Sequence, residues 1–376
     1  MTAAGSSPRV LLVGGALEGG GAERRLTLLH KHMFGGDVDL AVLKGSPEPR
    51  PRTFYLGWTG TRSYPRVIWA LRNILRKGRY DAVMSMSIYP SAVSKLAIML
   101  SGMRTVLIAT ENNRPTKLEE QWGKHWRSHV LSGLGRWIYG GSDLFAANSV
   151  DGLSESIQHY GVRPERAVRI HNLLPIEELQ RSAEQPSPEL DGEPEGPVRI
   201  CVAARLDGTK RTDSVINAVA GLPADLNVRL WILGDGSARP RLEQQAQTLN
   251  LGDKVRFFGW VSNPSRLLKK ADIYVQASMF EGFSNAVIEA MALGVAVITS
   301  TSTSDALDMV ERGAAAGFEP GDVEGLRQQI LRLARDPEAR AELNRAAQPF
   351  IQPLRPEIAI KGYEALAERA MGLYSA

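Results

Sequence analysis

Residues 271–300 read A-D-I-Y-V-Q-A-S-M-F-E-G-F-S-N-A-V-I-E-A-M-A-L-G-V-A-V-I-T-S. The run Ile273 to Gln276 is short and apolar, and the loop after it carries Glu281, Gly282, Ser284 and Asn285. From Ser284 or Asn285 the apolar positions recur at helical spacing until Gly294, and Val295 to Thr299 form a second run rich in β-branched residues. Strand, helix, strand in that order predicts a parallel pair joined by a crossover helix. The same alternation extends outward. Runs at Val198, Val228 to Leu233, Val255 to Phe258 and Ala315 to Phe318 complete one series, and Val10 to Val13, Val38 to Leu43, Ala82 to Met86, Val106 to Ala109 and Leu144 to Ala147 form another. The pattern predicts an α/β protein of two tandem doubly wound, Rossmann-like domains. Ligands of such sheets lie beyond the carboxyl ends of the strands, so two such edges facing each other would make a cleft.

The expected domains are residues 1–181 and 198–352, with 353–376 as a terminal helical segment. Residues 182–197, S-A-E-Q-P-S-P-E-L-D-G-E-P-E-G-P, hold few apolar side chains and read as a linker. Helices are expected at Glu338 to Phe350 and Pro356 to Tyr374, broken by Pro349, Pro353 and Pro356. A chain of 376 residues exceeds what one core usually serves, and 43% hydrophobic with 23% charged residues is a globular balance. The single cysteine, Cys201, excludes an intrachain disulfide and points to a reducing cytoplasm. No signal peptide and no apolar stretch of about 18 residues is seen, so the expected location is cytoplasmic, peripheral on the inner face of the cell membrane. Residues 1–172 carry 23 Lys and Arg against 13 Asp and Glu, about +10, and the remainder 22 against 28, about −6. Such asymmetry suits an acidic ligand or anionic lipid, or is ordinary surface variation.

Gly14 to Arg24, G-G-A-L-E-G-G-G-A-E-R, joins the first strand to a helix over Ala22 to Phe34. Its glycines let backbone N–H groups approach an anion at a helix start, or serve a flexible turn. It does not spell G-x-G-x-x-G and no acidic residue follows at the right distance, which disfavours a nicotinamide enzyme. In the second domain Arg205 and Lys210 fall at the first strand-to-helix turn, where a guanidinium and an ammonium suit a diphosphate, although such residues are also common surface charges. Glu281 precedes the next helix and Glu289 lies inside it, with the N–H groups of Gly282, Phe283, Ser284 and Asn285 between them. Two carboxylates around a helix start can take hydroxyl protons from a sugar and a ribose, or can be a cap and a surface residue. No Asp-x-Asp or His cluster marks a metal site.

Taken in order, these residues resemble the retaining family 4 glycosyltransferases of the GT-B fold. The resemblance rests on Arg205 with Lys210, the pair Glu281 and Glu289, the loop Gly19 to Glu23, Leu233-Gly234-Asp235-Gly236 and Phe258-Gly259-Trp260. It implies a nucleotide-diphosphate sugar, expected as a UDP-sugar, as co-substrate, with no further cofactor and no metal. Arg205 and Lys210 would bind the diphosphate, Glu289 the ribose and Glu281 the transferred sugar. Gly20 and Gly21 would approach the phosphates, Gly234 would line the donor site, and the last helix would cross back to the first domain. Retention would follow from attack on the face from which the nucleotide leaves. One departure concerns acceptors: many relatives carry a His beyond the fourth strand of the first domain, where this chain has Thr110-Glu111-Asn112-Asn113-Arg114-Pro115. Similar stretches occur in bacterial surface-polysaccharide transferases. Glu111, Asn112 and Asn113 are thus the acceptor candidates, with Glu111 either a base, an acceptor anchor or a cap.

The segment Lys117 to Tyr139 sets Trp122, Trp126, Val130, Leu134, Trp137 and Ile138 near one helical face beside Lys117, Lys124, Arg127 and Arg136. That composition suits a membrane interface and a lipid-linked saccharide acceptor, or a helix packed on the sheet. No nucleic-acid partner is expected. Competing readings are transfer to a small soluble metabolite, a nucleotide-sugar epimerase and a non-catalytic sugar-nucleotide binding protein.

Overall fold

The structure is a computed structural model that describes residues 7–17, 21–45, 50–116, 132–279 and 283–375. It divides into two compact units, residues 1–173 with 356–376, and residues 174–355. Unit 1 has strands β1 (Val10–Gly14), β2 (Asp39–Val42), β3 (Thr53–Tyr55), β4 (Ala82–Met86), β5 (Val106–Glu111), β6 (Leu144–Ala147) and β7 (Ala167–Arg169). Its helices are α1 (Gly21–His32), α2 (Tyr64–Gly78), α3 (Ile88–Ser101) and α4 (Val150–Tyr160). The order across the sheet is β3-β2-β1-β4-β5-β6-β7, with every pair parallel. β1 and β4 are buried along their whole length, as strands covered by helices on both faces must be. Val10 and Leu12 pack to one side with Leu26 and Leu29 of α1, while Leu11 and Val13 pack to the other with Val67, Leu71 and Leu75 of α2. That is the two-residue alternation of an extended chain.

Unit 2 begins with α5 (Ile176–Ala183) and continues with β8 (Val198–Ala203), α6 (Thr212–Ala220), β9 (Val228–Leu233), α7 (Arg239–Thr248), β10 (Val255–Gly259), α8 (Ser265–Leu268) and β11 (Ile273–Gln276). It ends with α9 (Asn285–Ala292), β12 (Ala296–Ser300), α10 (Ser304–Glu311), β13 (Ala316–Phe318), α11 (Val323–Arg335) and α12 (Pro337–Ile351). Its parallel sheet runs β10-β9-β8-β11-β12-β13. In each unit the strand order reverses beside the first strand, between β1 and β4 and between β8 and β11, where doubly wound sheets hold ligands. Cys201 is fully buried in β8 and burial pushes its thiol pKa up, leaving a packing residue.

Three expectations need correction. The first domain does not run to residue 181: Ile176 and Leu179 of α5 pack with Leu267, Leu268 and Ile288 in the core of unit 2. Residues 182–197 are not a free linker, because Leu190 packs on that core and the Glu193 side chain is 4% exposed. Glu193 accepts hydrogen bonds from Arg229 at 3.2 Å, Arg256 at 2.5 Å and the Trp231 indole at 3.3 Å. Polar partners hold this segment where apolar residues are scarce. Finally, Pro349 lies inside α12 rather than breaking it. It sits in the last turn, where its missing N–H removes a single helical bond. The terminal helix α13 (Pro356–Ser375) belongs to unit 1, with Tyr363 and Ala367 buried against α1 and the sheet.

Candidate active site

At the carboxyl edge of unit 2 three strand ends are stitched together. Ala204 N–H donates to Leu233 O at 3.0 Å, Leu206 N–H to Asp235 O at 2.9 Å and Gly234 N–H to Gly259 O at 2.7 Å. Gly234 has φ +126°, and a Cβ there would stand 1.9 Å from the Ala204 carbonyl oxygen, so glycine alone lets β9 end against the loop after β8. That loop is folded by Asp207, whose carboxylate accepts from Thr209 N–H at 3.0 Å and from Arg205 Nε at 2.8 Å. Burial alone would raise the Asp207 pKa, but the hydrogen bonds from Thr209 and Arg205 outweigh it and hold it below the usual range. Arg205 is 75% exposed, so its guanidinium is presented to solvent on a loop fixed at both ends.

Lys210 closes a short turn of residues Gly208–Lys210, and Arg211 follows in the left-handed region at φ +49° before α6 begins. Thr209 O accepts from Met279 N–H at 3.0 Å, which docks the loop leaving β11 onto this turn. Met279 is some seventy residues from this turn in the sequence; the fold makes it the neighbour of Thr209. Glu281 and Gly282 lie outside the described residues, as does Gly20 in unit 1, while Gly21 opens α1. Phe283 is half-buried, and Ser284 takes the position before α9 without its hydroxyl capping the helix. Asn285 and Glu289 stand four residues apart, on one face of α9.

Phe283 and Ser284 line a small cavity together with Gln276, Thr299, Ser300, Ser302, Thr303 and Asp305 and the apolar Val287, Ala306 and Met309. Gln276 is fixed by the Tyr274 hydroxyl at 2.9 Å and donates to Ser278 Oγ at 2.9 Å, and Ser300 Oγ donates to Ser278 O at 2.6 Å. The sequence reading missed these residues. Their signal is a run of hydroxyls, Thr299 to Ser304, where a buried strand meets a helix.

At the carboxyl edge of unit 1, Glu111 ends β5 and is 2% exposed. One oxygen accepts from the N–H groups of Asn112 at 2.8 Å and Asn113 at 3.0 Å, and the other from the Tyr139 hydroxyl at 2.5 Å. Tyr139 is fully buried, and burial first, then the adjacent Glu111, raises its pKa well above the ordinary value. Glu111 is thus the organiser of a turn that displays Asn113 at the surface, and its carboxylate points inward. Arg114 carries the turn to α4 through Glu155 at 2.5 Å. Nearby, Arg25 is buried, donates to Asn172 Oδ1 at 3.3 Å and stands beside the Tyr363 hydroxyl, while Asn148 Nδ2 donates to the same Asn172 oxygen at 3.2 Å. Of the Trp-rich segment, residues 117–131 lie outside the described residues; Leu134 and Ile138 pack into the core with Phe145, and Trp137 lies at the surface under Lys95.

Two family profiles cover this architecture: Glycosyl transferases group 1 matches residues 186–349, and Glycosyltransferase Family 4 matches residues 19–178. The chain belongs to these glycosyltransferases. A relative in Campylobacter jejuni, an N-acetylgalactosamine-N,N'-diacetylbacillosaminyl-diphospho-undecaprenol 4-alpha-N-acetylgalactosaminyltransferase, is 29% identical over 220 residues, 58% of this chain and 57% of that protein. LpsE of Rhizobium meliloti, a lipopolysaccharide core biosynthesis glycosyltransferase, is 31% identical over 155 residues, 41% of this chain and 44% of that one. The chain therefore spans about half the length of the curated relatives it matches. Among solved structures, Anabaena HepE in complex with UDP-glucose superposes with a TM-score of 0.78 at 20% identity, over 98% of this chain and all of that one. It supports the GT-B fold of this glycosyltransferase chain.

Proposed function

We propose that this glycosyltransferase moves a hexose or N-acetylhexosamine from a UDP-sugar, with retention of configuration, to a hydroxyl of a lipid-linked saccharide in bacterial glycan assembly. The observation that carries the reading is the cationic turn of residues 205–210, fixed by Asp207 and docked onto the loop that leads to α9. Arg205 and Lys210 there meet the diphosphate and stabilise the charge that grows on it as the glycosidic bond breaks. Glu289 takes the ribose hydroxyls and Glu281 the sugar hydroxyls, with Gly20, Gly21, Gly234 and the N–H groups of Gly282, Phe283, Ser284 and Asn285 completing the donor contacts. The leaving phosphate accepts the acceptor proton, and Asn112 and Asn113 hold the acceptor. Glu111 positions that turn; the four hydrogen bonds on its carboxylate, including the Asn113 amide at 3.3 Å, fit a brace better than a base.

The named acceptor of the Campylobacter relative is diphospho-undecaprenol-linked, which favours a lipid-linked saccharide at a membrane surface. A relative in Bacillus anthracis, N-acetyl-alpha-D-glucosaminyl L-malate synthase, keeps a small soluble acceptor as the competing outcome. Incubation with UDP-, GDP- and ADP-sugars, with and without membrane lipid extract or L-malate, followed by mass spectrometry and anomeric NMR of the product, tests donor, acceptor and retention together. Release of free sugar alone, or an inverted anomer, would overturn the proposal.

A further inference from the structure

We infer that the outer face of α2, with the adjoining end of α3, is the surface by which unit 1 lies on an anionic bilayer. The inference rests on the lipid-linked acceptor proposed above and says which part of the molecule meets the lipid. Along α2 and the turn before it, Arg62, Arg66, Trp69, Asn73 and Arg76 recur at steps of three and four, one line on a helix, opposite the buried Val67, Leu71 and Leu75. Trp69 is 56% exposed, and on α3 Met99 is 64% and Leu100 54% exposed. They form one patch: the Arg72 guanidinium lies 4.3 Å from the Trp69 ring centroid and its Nε donates to Leu100 O at 3.1 Å. Single exposed apolar residues are ordinary, but an indole, a thioether and an isobutyl group gathered around arginines are interaction chemistry.

Charge decides the partner. Residues 61–104 hold eight Lys and Arg and one acid, Asp81, which accepts from Arg9 N–H at 2.8 Å. Lys77, Arg79 and Arg104 extend the basic rim at the ends of the two helices. A polyanion without apolar character would use the arginines and leave Met99 and Leu100 idle. An anionic bilayer uses both, with guanidinium groups at the phosphates and the indole and aliphatic tips at the acyl boundary.

The test is sedimentation of the full chain with vesicles of phosphatidylcholine alone or mixed with phosphatidylglycerol, across a salt series. The wild type is expected to pellet with the mixed vesicles at low salt and to release as salt rises. The quadruple variant Arg66→Glu, Arg76→Glu, Lys77→Glu and Arg104→Glu changes only exposed side chains and is expected to bind at least about 100-fold more weakly, since each basic residue near such a surface contributes about fivefold. Trp69→Ser with Leu100→Ser is expected to weaken binding without changing its salt dependence. A parallel Lys117, Lys124, Arg127 and Arg136 to Glu variant is expected to stay bound. The inference is overturned if the α2 quadruple variant pellets like the wild type, or if the wild type binds RNA and no vesicle. Sugar transfer to a detergent-dispersed lipid-linked acceptor, measured on the same samples, reads the proposed activity separately: retained transfer with no vesicle binding removes the docking surface and leaves the transferase standing.

Discussion

Arg205 and Lys210 illustrate how residue chemistry and placement divide the work. Their type and position were legible, since a basic pair at the first strand-to-helix turn of a doubly wound domain faces the edge where ligands bind. That Asp207 fixes Arg205, and that Thr209 receives Met279, required the fold. Replacing Arg205 or Lys210 with Ala should leave the thermal transition in place and slow transfer by roughly 100-fold or more, as loss of a charge partner for the leaving group does. Turnover at the wild-type rate in either variant would refute the phosphate role. The two glutamates should separate by measurement: Glu289→Gln weakens calorimetric binding of free UDP, while Glu281→Gln leaves UDP affinity and lowers turnover. Equal losses of UDP affinity would sink that division. Glu111 was read as a base, an anchor or a cap, because sequence cannot show which way a carboxylate points. Its inward hydrogen bonds predict that Glu111→Gln lowers stability by about 1–3 kcal/mol, because an amide cannot satisfy the same donors, and leaves the acidic limb of the pH–rate profile unmoved. Disappearance of that limb would return Glu111 to the role of base.

Strands announced themselves through apolar runs, which is why all six strands of unit 2 and five of unit 1 were readable, including the partly buried edge strand β10 with Val255, Phe257 and Phe258. β3 and β7 were missed: each has three residues, lies at a sheet edge and is partly exposed, so neither carries an apolar run. The segment 182–197 misled for the opposite reason, since polar contacts hold much of it, Glu184 to Lys269, Glu189 to Arg266 and Glu193 to Arg229 and Arg256, while its composition looks unattached. Burial raises the pKa of Glu193, but Arg256, Arg229 and the Trp231 indole outweigh it and the net shift is downward. A carboxyl whose folded pKa is depressed contributes stability that is present above its unfolded pKa, near 4.3, and lost as pH falls through the folded value. Glu193→Gln should therefore destabilise unit 2 by about 2–3 kcal/mol at pH 7, the worth of charged hydrogen bonds, and by progressively less below about pH 4. Chemical denaturation of both proteins across that range would show it, and a difference independent of pH would mean that shape rather than charge holds the segment.

At the scale of the whole molecule the chain leaves unit 1 at residue 173, builds unit 2, and returns to unit 1 at residue 356. α13 is consequently part of the core of the first unit, contributed by residues that follow unit 2 in the chain. Ile360, Tyr363 and Leu366 are each at least nine-tenths buried there, and the Tyr363 hydroxyl donates to His171 O at 3.1 Å. Burying three such side chains stabilises by about 5–9 kcal/mol, comparable to the entire stability of an ordinary domain. Unit 2 has no such debt: its cores are drawn from residues 174 to 354. The expected outcome is asymmetric. A fragment of residues 174–355 should fold cooperatively and bind free UDP, whereas residues 1–173 should not fold until a peptide of residues 356–376 is added. Hydrogen exchange on the two fragments, with and without the peptide, measures this directly. Protection of β1, β4 and β5 in residues 1–173 alone would show that α13 is an accessory to unit 1 and that the return crossing is dispensable for its core.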